Sequence, residues 1–220
     1  MFPLPFTFTA LGMMLMPLLC AGCTGTGTEV ASRREFQTWK WQRDDHVVKQ
    51  RMDYSCGAAA LATIMRYYFE DNVTEQDILT DILKRMSKED LVDRQTKGLS
   101  MLDLQEAAGR RGYQAVGVKL PLDSLPELGG PILVHLETRE YRHFAILKGT
   151  AEDRIYLADP SRGNMRMPLF RFEKEWSRLA LVLGKESFGM PESHGMTVRP
   201  AHPVQNEVLA ARRAVRDAPL

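Results

Sequence analysis

The sequence predicts an α+β domain, with a helical layer packed on an antiparallel β-sheet. Three observations predict it. Between residues 56 and 112 apolar side chains recur at intervals of three and four, the period of helices laid against a core. After Gly112 the texture changes to short runs rich in β-branched and large apolar residues: YQAVGVKL, PILVHLE, HFAILKG, RIYLADP and RLALVLG. Two of these, HFAILKG and RIYLADP, are joined by only TAED, a length suited to a hairpin, so the sheet is expected to be antiparallel.

The chain begins with a segment unlike the rest. Through Cys23 it carries no charged side chain, and its apolar stretch from Phe6 to Leu19 is interrupted at Pro17 and followed by small residues. A membrane span needs about 20 apolar residues, so residues 1–23 are expected to be a cleaved export signal. CAGC, Cys20 to Cys23, resembles a bacterial lipoprotein cleavage box, although Cys20 stands where that box usually has leucine. Processing would leave either a free periplasmic chain or one tethered to a membrane through an acylated Cys23. Residues 24–35, small and polar, read as a linker, and the folded domain is expected over 36–184.

Within that domain the first long helix starts at Cys56, with Ala60, Leu61, Ile64, Met65 and Tyr68 as its stripe. Thr74 and Asp77 read as a capping box ahead of Ile78, Leu79, Ile82, Leu83 and Met86. Ser100 caps SMLDLQEAAGRRG, and Gly112 stops it. RMSKEDLVDRQTK, between them, reads as a solvated face or loop. LGGP, Leu128 to Pro131, is the expected turn into PILVHLE. Residues 185–220 are expected to be largely irregular and loose, with one short helix at NEVLAARRAV.

Charge narrows the function. Lys and Arg number 29 against 28 Asp and Glu, a net charge of +1, which excludes the broad basic surface that nucleic acid requires. No cluster has metal-ligand spacing, and no metal or cofactor is expected. If Cys20 and Cys23 are lost or acylated in processing, Cys56 remains as a lone thiol in an oxidising compartment, where structural cysteines usually pair.

A cysteine attacks as the thiolate, which a helix N-terminus and a neighbouring imidazolium both stabilise. Cys56 has the first of these by position, and Gly57 allows close backbone approach of a carbonyl. Of the five histidines (His46, His135, His143, His194 and His202), His143 is best placed, because it opens the strand HFAIL at a sheet edge. His135 lies inside ILVHLE, at a partly solvated strand position. A base needs an acceptor to orient it. Asp159 closes the next strand, and the hairpin returns it towards His143. Gln50, shortly before the cysteine, is the candidate side-chain donor for an oxyanion. Taken alone, Cys56 reads more readily as a small buried side chain; the four residues together favour a nucleophilic site.

QRMDYSCGAAAL at 50–61, HFAIL at 143–147 and ADP at 158–160 resemble the peptidase C39 family of papain-like cysteine peptidases. The resemblance covers roughly residues 45 to 183. It implies a papain-like fold and endopeptidase activity, with Cys56 as nucleophile, His143 as base, Asp159 as its orienter and Gln50 as oxyanion donor. Transporter-borne members usually have an acidic residue before the cysteine, where Ser55 stands here, and these 220 residues contain no ATPase segment. The chain is closer in character to the stand-alone exported branch associated with functional-amyloid secretion. That branch implies a polypeptide substrate, an amyloid subunit or secretion component, and leaves double-glycine specificity open. A non-proteolytic adaptor that holds an extended client segment is the alternative, and a peptidoglycan amidase a weaker one.

Overall fold

A computed structural model describes residues 39–139 and 141–198. The expected signal at 1–23 with Cys20 and Cys23, the linker at 24–35, His202 and the helix expected at NEVLAARRAV lie outside the described residues. Six helices and six strands follow in order: α1 (Trp39–Asp44), α2 (Cys56–Tyr67), α3 (Glu75–Leu83), α4 (Lys88–Lys97), α5 (Met101–Arg110), β1 (Tyr113–Lys119), β2 (Ile132–Glu137), β3 (Arg142–Ala151), β4 (Arg154–Asp159), β5 (Gly163–Pro168), α6 (Leu169–Glu175) and β6 (Trp176–Lys185). The strands form one antiparallel sheet in the order β1-β6-β2-β3-β4-β5. This is the helix-on-sheet α+β arrangement that the sequence predicts.

Helix α2 is the centre of the helical layer. Every residue from Cys56 to Met65 is buried, not only the expected stripe. The run Ala58, Ala59, Ala60 and Ala62 explains this, since small side chains let the helix lie close to the sheet on one side and to α3 and α5 on the other. The expected capping box of Thr74 with Asp77 forms on α3, and the expected cap Ser100 goes further and forms a box with Asp103 on α5. Past α5, Gly112 takes a positive φ of 83°, where a side chain would be strained.

The sheet is buried on both faces. Leu133, Phe144, Ile146, Ala158 and Leu181 face the helices. Val134, Ala145, Leu147, Leu157 and Ala180 face a second core closed by Phe172 of α6 and by Leu125 of a 3-10 turn at Leu122–Glu127. Two covered faces account for the near-continuous apolar runs of β2 and β3. This second layer was not expected from the sequence.

RMSKEDLVDRQTK, expected as a solvated face or loop, forms a solvated helix, α4, capped by Ser87 and burying none of its residues. Residues 186–198 contain no helix or strand, yet they are not loose: Met196 is fully buried and Phe188 packs against Tyr68 and Phe69.

Candidate active site

Cys56 is the first residue of α2 and is buried. Ahead of it, residues 51–55 make a tight turn closed by Ser55 N–H to the Met52 carbonyl at 3.2 Å. Ser55 occupies the cap position, but its hydroxyl makes no capping bond, whereas Thr74, Ser87 and Ser100 all cap their helices. The hydroxyl turns instead to the buried Glu75 carboxylate at 2.5 Å, and the Arg51 N–H donates to the same oxygen at 2.9 Å. Glu75 therefore holds the turn from behind, and the first N–H groups of α2 are left without a side-chain cap beside the thiol.

His143 sits on β3 and Asp159 ends β4. The register pairs Ile146 with Ala158 and shifts between Leu147 and Gly149, which brings the end of β4 back beside the first residues of β3. The His143 Nε2 lies 3.0 Å from Asp159 Oδ1. Cys56 is near enough for its side chain to favour the charged form of the ring. With Nε2 engaged, Nδ1 is the nitrogen left for sulfur.

Asp159 is completely buried and fully bonded. Its Oδ1 also accepts from the N–H groups of Ser161 (2.8 Å) and Arg162 (2.9 Å), and its Oδ2 accepts from Arg162 Nε at 2.8 Å. Burial pushes the Asp159 carboxyl up, but the His143 hydrogen bond and charge and the Arg162 contacts outweigh it and hold the group well below the usual carboxylate range. Burial likewise opposes protonation of His143, while Asp159 and then Cys56 favour it; the result is an imidazole raised from 6.5 to about 9. The site thus favours a cationic ring beside a buried carboxylate.

Gln50 is tied to the same corner, with its N–H donating to the Pro160 carbonyl at 3.0 Å. Its Nε2 donates to the Met52 carbonyl at 3.1 Å, and among the described residues its second hydrogen and its buried Oε1 have no partner. The structure thus hydrogen-bonds His143 to Asp159, brings Cys56 near the ring, and ties Gln50 to the turn after Asp159.

The thiol borders two adjoining clefts of about 300 and 510 Å³. One wall is α4 and the segment after it, from Asp93 to Met101; the other is the β2–β3 hairpin, including Glu137 and Arg142. Three pairs of charges stand here: Arg94 with Asp103 at 2.6 Å, Lys97 with Asp93 at 2.5 Å, and Arg142 with Glu137 at 3.3 Å.

Sequence reasoning missed Glu75 and Arg162. Glu75 follows a cap residue, where an acidic side chain ordinarily serves only the helix dipole. Arg162 stands three residues after Asp159 in a turn, and that spacing was the one available signal.

This architecture, with a thiol on the first turn of a helix and an imidazole and carboxylate on neighbouring strands, is the papain-like α+β fold. The chain belongs to the peptidase C39 family, whose model matches residues 44–187. It is 31% identical over 188 residues to the probable functional amyloid protease FapD of Pseudomonas aeruginosa, covering 85% of this chain and 80% of that protein. Among solved structures it is similar to the peptidase domain of Streptococcus ComA, a bifunctional ABC transporter involved in quorum sensing. That match has a TM-score of 0.53 and 23% identity, over 64% of this chain and 98% of the other. A double glycine motif protease from an AMS/PCAT transporter, in complex with its leader peptide, matches with a TM-score of 0.52 and 25% identity. It covers 62% of this chain and 89% of that one.

Proposed function

We propose that the chain is an exported cysteine endopeptidase that cleaves a polypeptide of a functional-amyloid secretion system. The observation that carries the chemistry is His143 hydrogen-bonded to buried Asp159 and near enough to Cys56 for that side chain to favour its charged form. Sγ of Cys56, its proton passed to His143, forms a bond to the scissile carbonyl carbon. The oxyanion receives the uncapped Cys56 N–H and the second hydrogen of Gln50 Nε2. The C–N bond then breaks, His143 gives its proton to the departing amine, and water hydrolyses the thioester with His143 as base. Asp159 keeps Nε2 protonated and Nδ1 directed at sulfur throughout.

The amyloid connection rests on the relative named a functional amyloid protease, and a polypeptide as substrate is supported by the leader-peptide complex of the related protease. Residues 1–23 direct export to the periplasm, with or without a lipid tether at Cys23; 24–35 are linker, 36–184 the peptidase domain and 185–220 a tail. Among the described residues no helix is long and apolar enough to cross a membrane. The test is digestion of a proteome-derived peptide library by the full chain, read as new termini by mass spectrometry. Cleavage that vanishes in both Cys56→Ala and His143→Ala is expected. Cleavage retained in His143→Ala refutes the roles, and binding without cleavage by the unaltered chain points to an adaptor.

A further inference from the structure

His135, a histidine that lines the 300 Å³ cleft beside Cys56, makes no contact that the proposed chemistry uses. It lies on β2, which pairs with β6 through Leu133–Leu181, Val134–Ala180 and Leu136–Trp176, with a register shift between Val134 and Leu136. At that irregularity the carbonyl of His135 receives the hydroxyl hydrogen of Ser177 at 3.0 Å. The same Ser177 Oγ lies 3.0 Å from His135 Nδ1. A hydroxyl has one hydrogen, and this one is already given to the carbonyl, so towards Nδ1 the oxygen accepts. Nδ1 therefore carries the ring proton and Nε2 is a bare acceptor.

The ring borders the 300 Å³ cleft together with Cys56, Leu99, Met101, Phe144 and Leu179. With Nδ1 turned to Ser177, the ring edge left for the cleft is the one bearing Nε2, which has no hydrogen-bond partner among the described residues. The other face of the imidazole is set by Phe144, with ring centroids 5.1 Å apart. Burial, with Arg142 and His143 nearby and Glu137 opposing them, lowers His135 below its ordinary value, so it stays neutral and remains an acceptor about neutral pH.

We propose that His135 is a specificity-determining residue: its Nε2 accepts a hydrogen bond from a substrate side chain that carries an N–H or O–H on an otherwise apolar or planar body. Glutamine, asparagine, tyrosine and tryptophan fit this chemistry. Phenylalanine, methionine and leucine would leave Nε2 desolvated and unpaired, and a carboxylate would set lone pair against lone pair. The proposal rests on the reading of this cleft as the polypeptide-binding site, and deepens it by naming the class of side chain held beside the thiol.

The test separates binding from turnover. The full chain carrying Cys56→Ala is applied to an array of peptides, and each bound sequence is reprinted with single Tyr→Phe, Gln→Met and Gln→Glu exchanges. At one position, each exchange should weaken binding about tenfold. Adding His135→Leu should abolish that discrimination, and His135→Gln, which restores an acceptor through its side-chain carbonyl, should recover part of it. An array without bound peptides, no position with this preference, or a preference that survives His135→Leu overturns the proposal. A structural role alone would lower stability in both variants equally without moving the ratios. Iodoacetamide reactivity of Cys56 in the His135 variants decides the catalytic reading separately. Activation intact with selectivity lost supports both, whereas an inactive thiol in the unaltered chain defeats the peptidase and leaves the binding ratios to judge His135.

Discussion

Replacing Asp159 by asparagine removes one charge while keeping nearly the same shape, and the structure sets the size of the effect. The amide oxygen can still accept from His143 Nε2 and the N–H groups of Ser161 and Arg162, which hold the turn, while the bond from Arg162 Nε to Oδ2 is lost in both charge states of His143. What disappears is the anion that makes charging of a buried imidazole favourable. His143 is raised from 6.5 to about 9, and a shift of that size corresponds to about 3 kcal/mol of preference for the folded, protonated state. Because the folded value lies above the unfolded one, that stability is fully present below about pH 6.5 and is lost as pH rises through about 9. Denaturant unfolding of the full chain at the two ends of this window should show a loss of about 3 kcal/mol, and Asp159→Asn should lose less than about 1. Equal losses in the two proteins would refute the claim that Asp159 sets the charge state of His143.

Three further outcomes follow from the packing. Glu75→Ala takes the acceptor from the Arg51 N–H, while the Ser55 hydroxyl can still donate to the Met52 carbonyl at 2.8 Å, and should cost about 1 kcal/mol in chemical denaturation, with slower alkylation of Cys56; Glu75→Gln should cost less. Gly57→Ala puts a Cβ 3.0 Å from Leu104 Cδ1 and 3.1 Å from Phe144 Cδ2, so overpacking should outweigh the better helix propensity and lower stability by about 1 kcal/mol. Phe172→Ala empties the far core and should cost about 3 to 5 kcal/mol by denaturant unfolding, yet leave the pH profile of Cys56 reactivity unchanged, because that residue packs on the opposite face of the sheet.

The helices at Cys56, Thr74 and Ser100 were legible because capping residues and a three-four period are local signals. So was the hairpin that brings Asp159 near His143, since a short link between two apolar runs admits few geometries. β5 was not, because GNMRMP alternates only Met165 and Met167, has no β-branched or aromatic residue, runs from a glycine to a proline, and lies at the sheet edge beside β4. Nor was the helical form of α4, for a similar reason: a helix that buries nothing writes no stripe. In the site, Cys56, His143 and Asp159 announce themselves by residue type and position in their elements. Glu75 and Arg162 act through partners that only the folded chain brings together. Ser55 read as a departure from the acidic residue of the transporters; in the structure a carboxylate is still close by, supplied by Glu75 from α3.

The most direct measurement is the rate of Cys56 alkylation by iodoacetamide against pH, followed at the Cys56 peptide by mass spectrometry in the full chain and in His143→Ala. An imidazole-activated thiol keeps reacting down to about pH 6 and loses that reactivity in the variant. Rates that rise only near the free-thiol value of about 8.5 in both proteins would contradict a thiolate–imidazolium nucleophile.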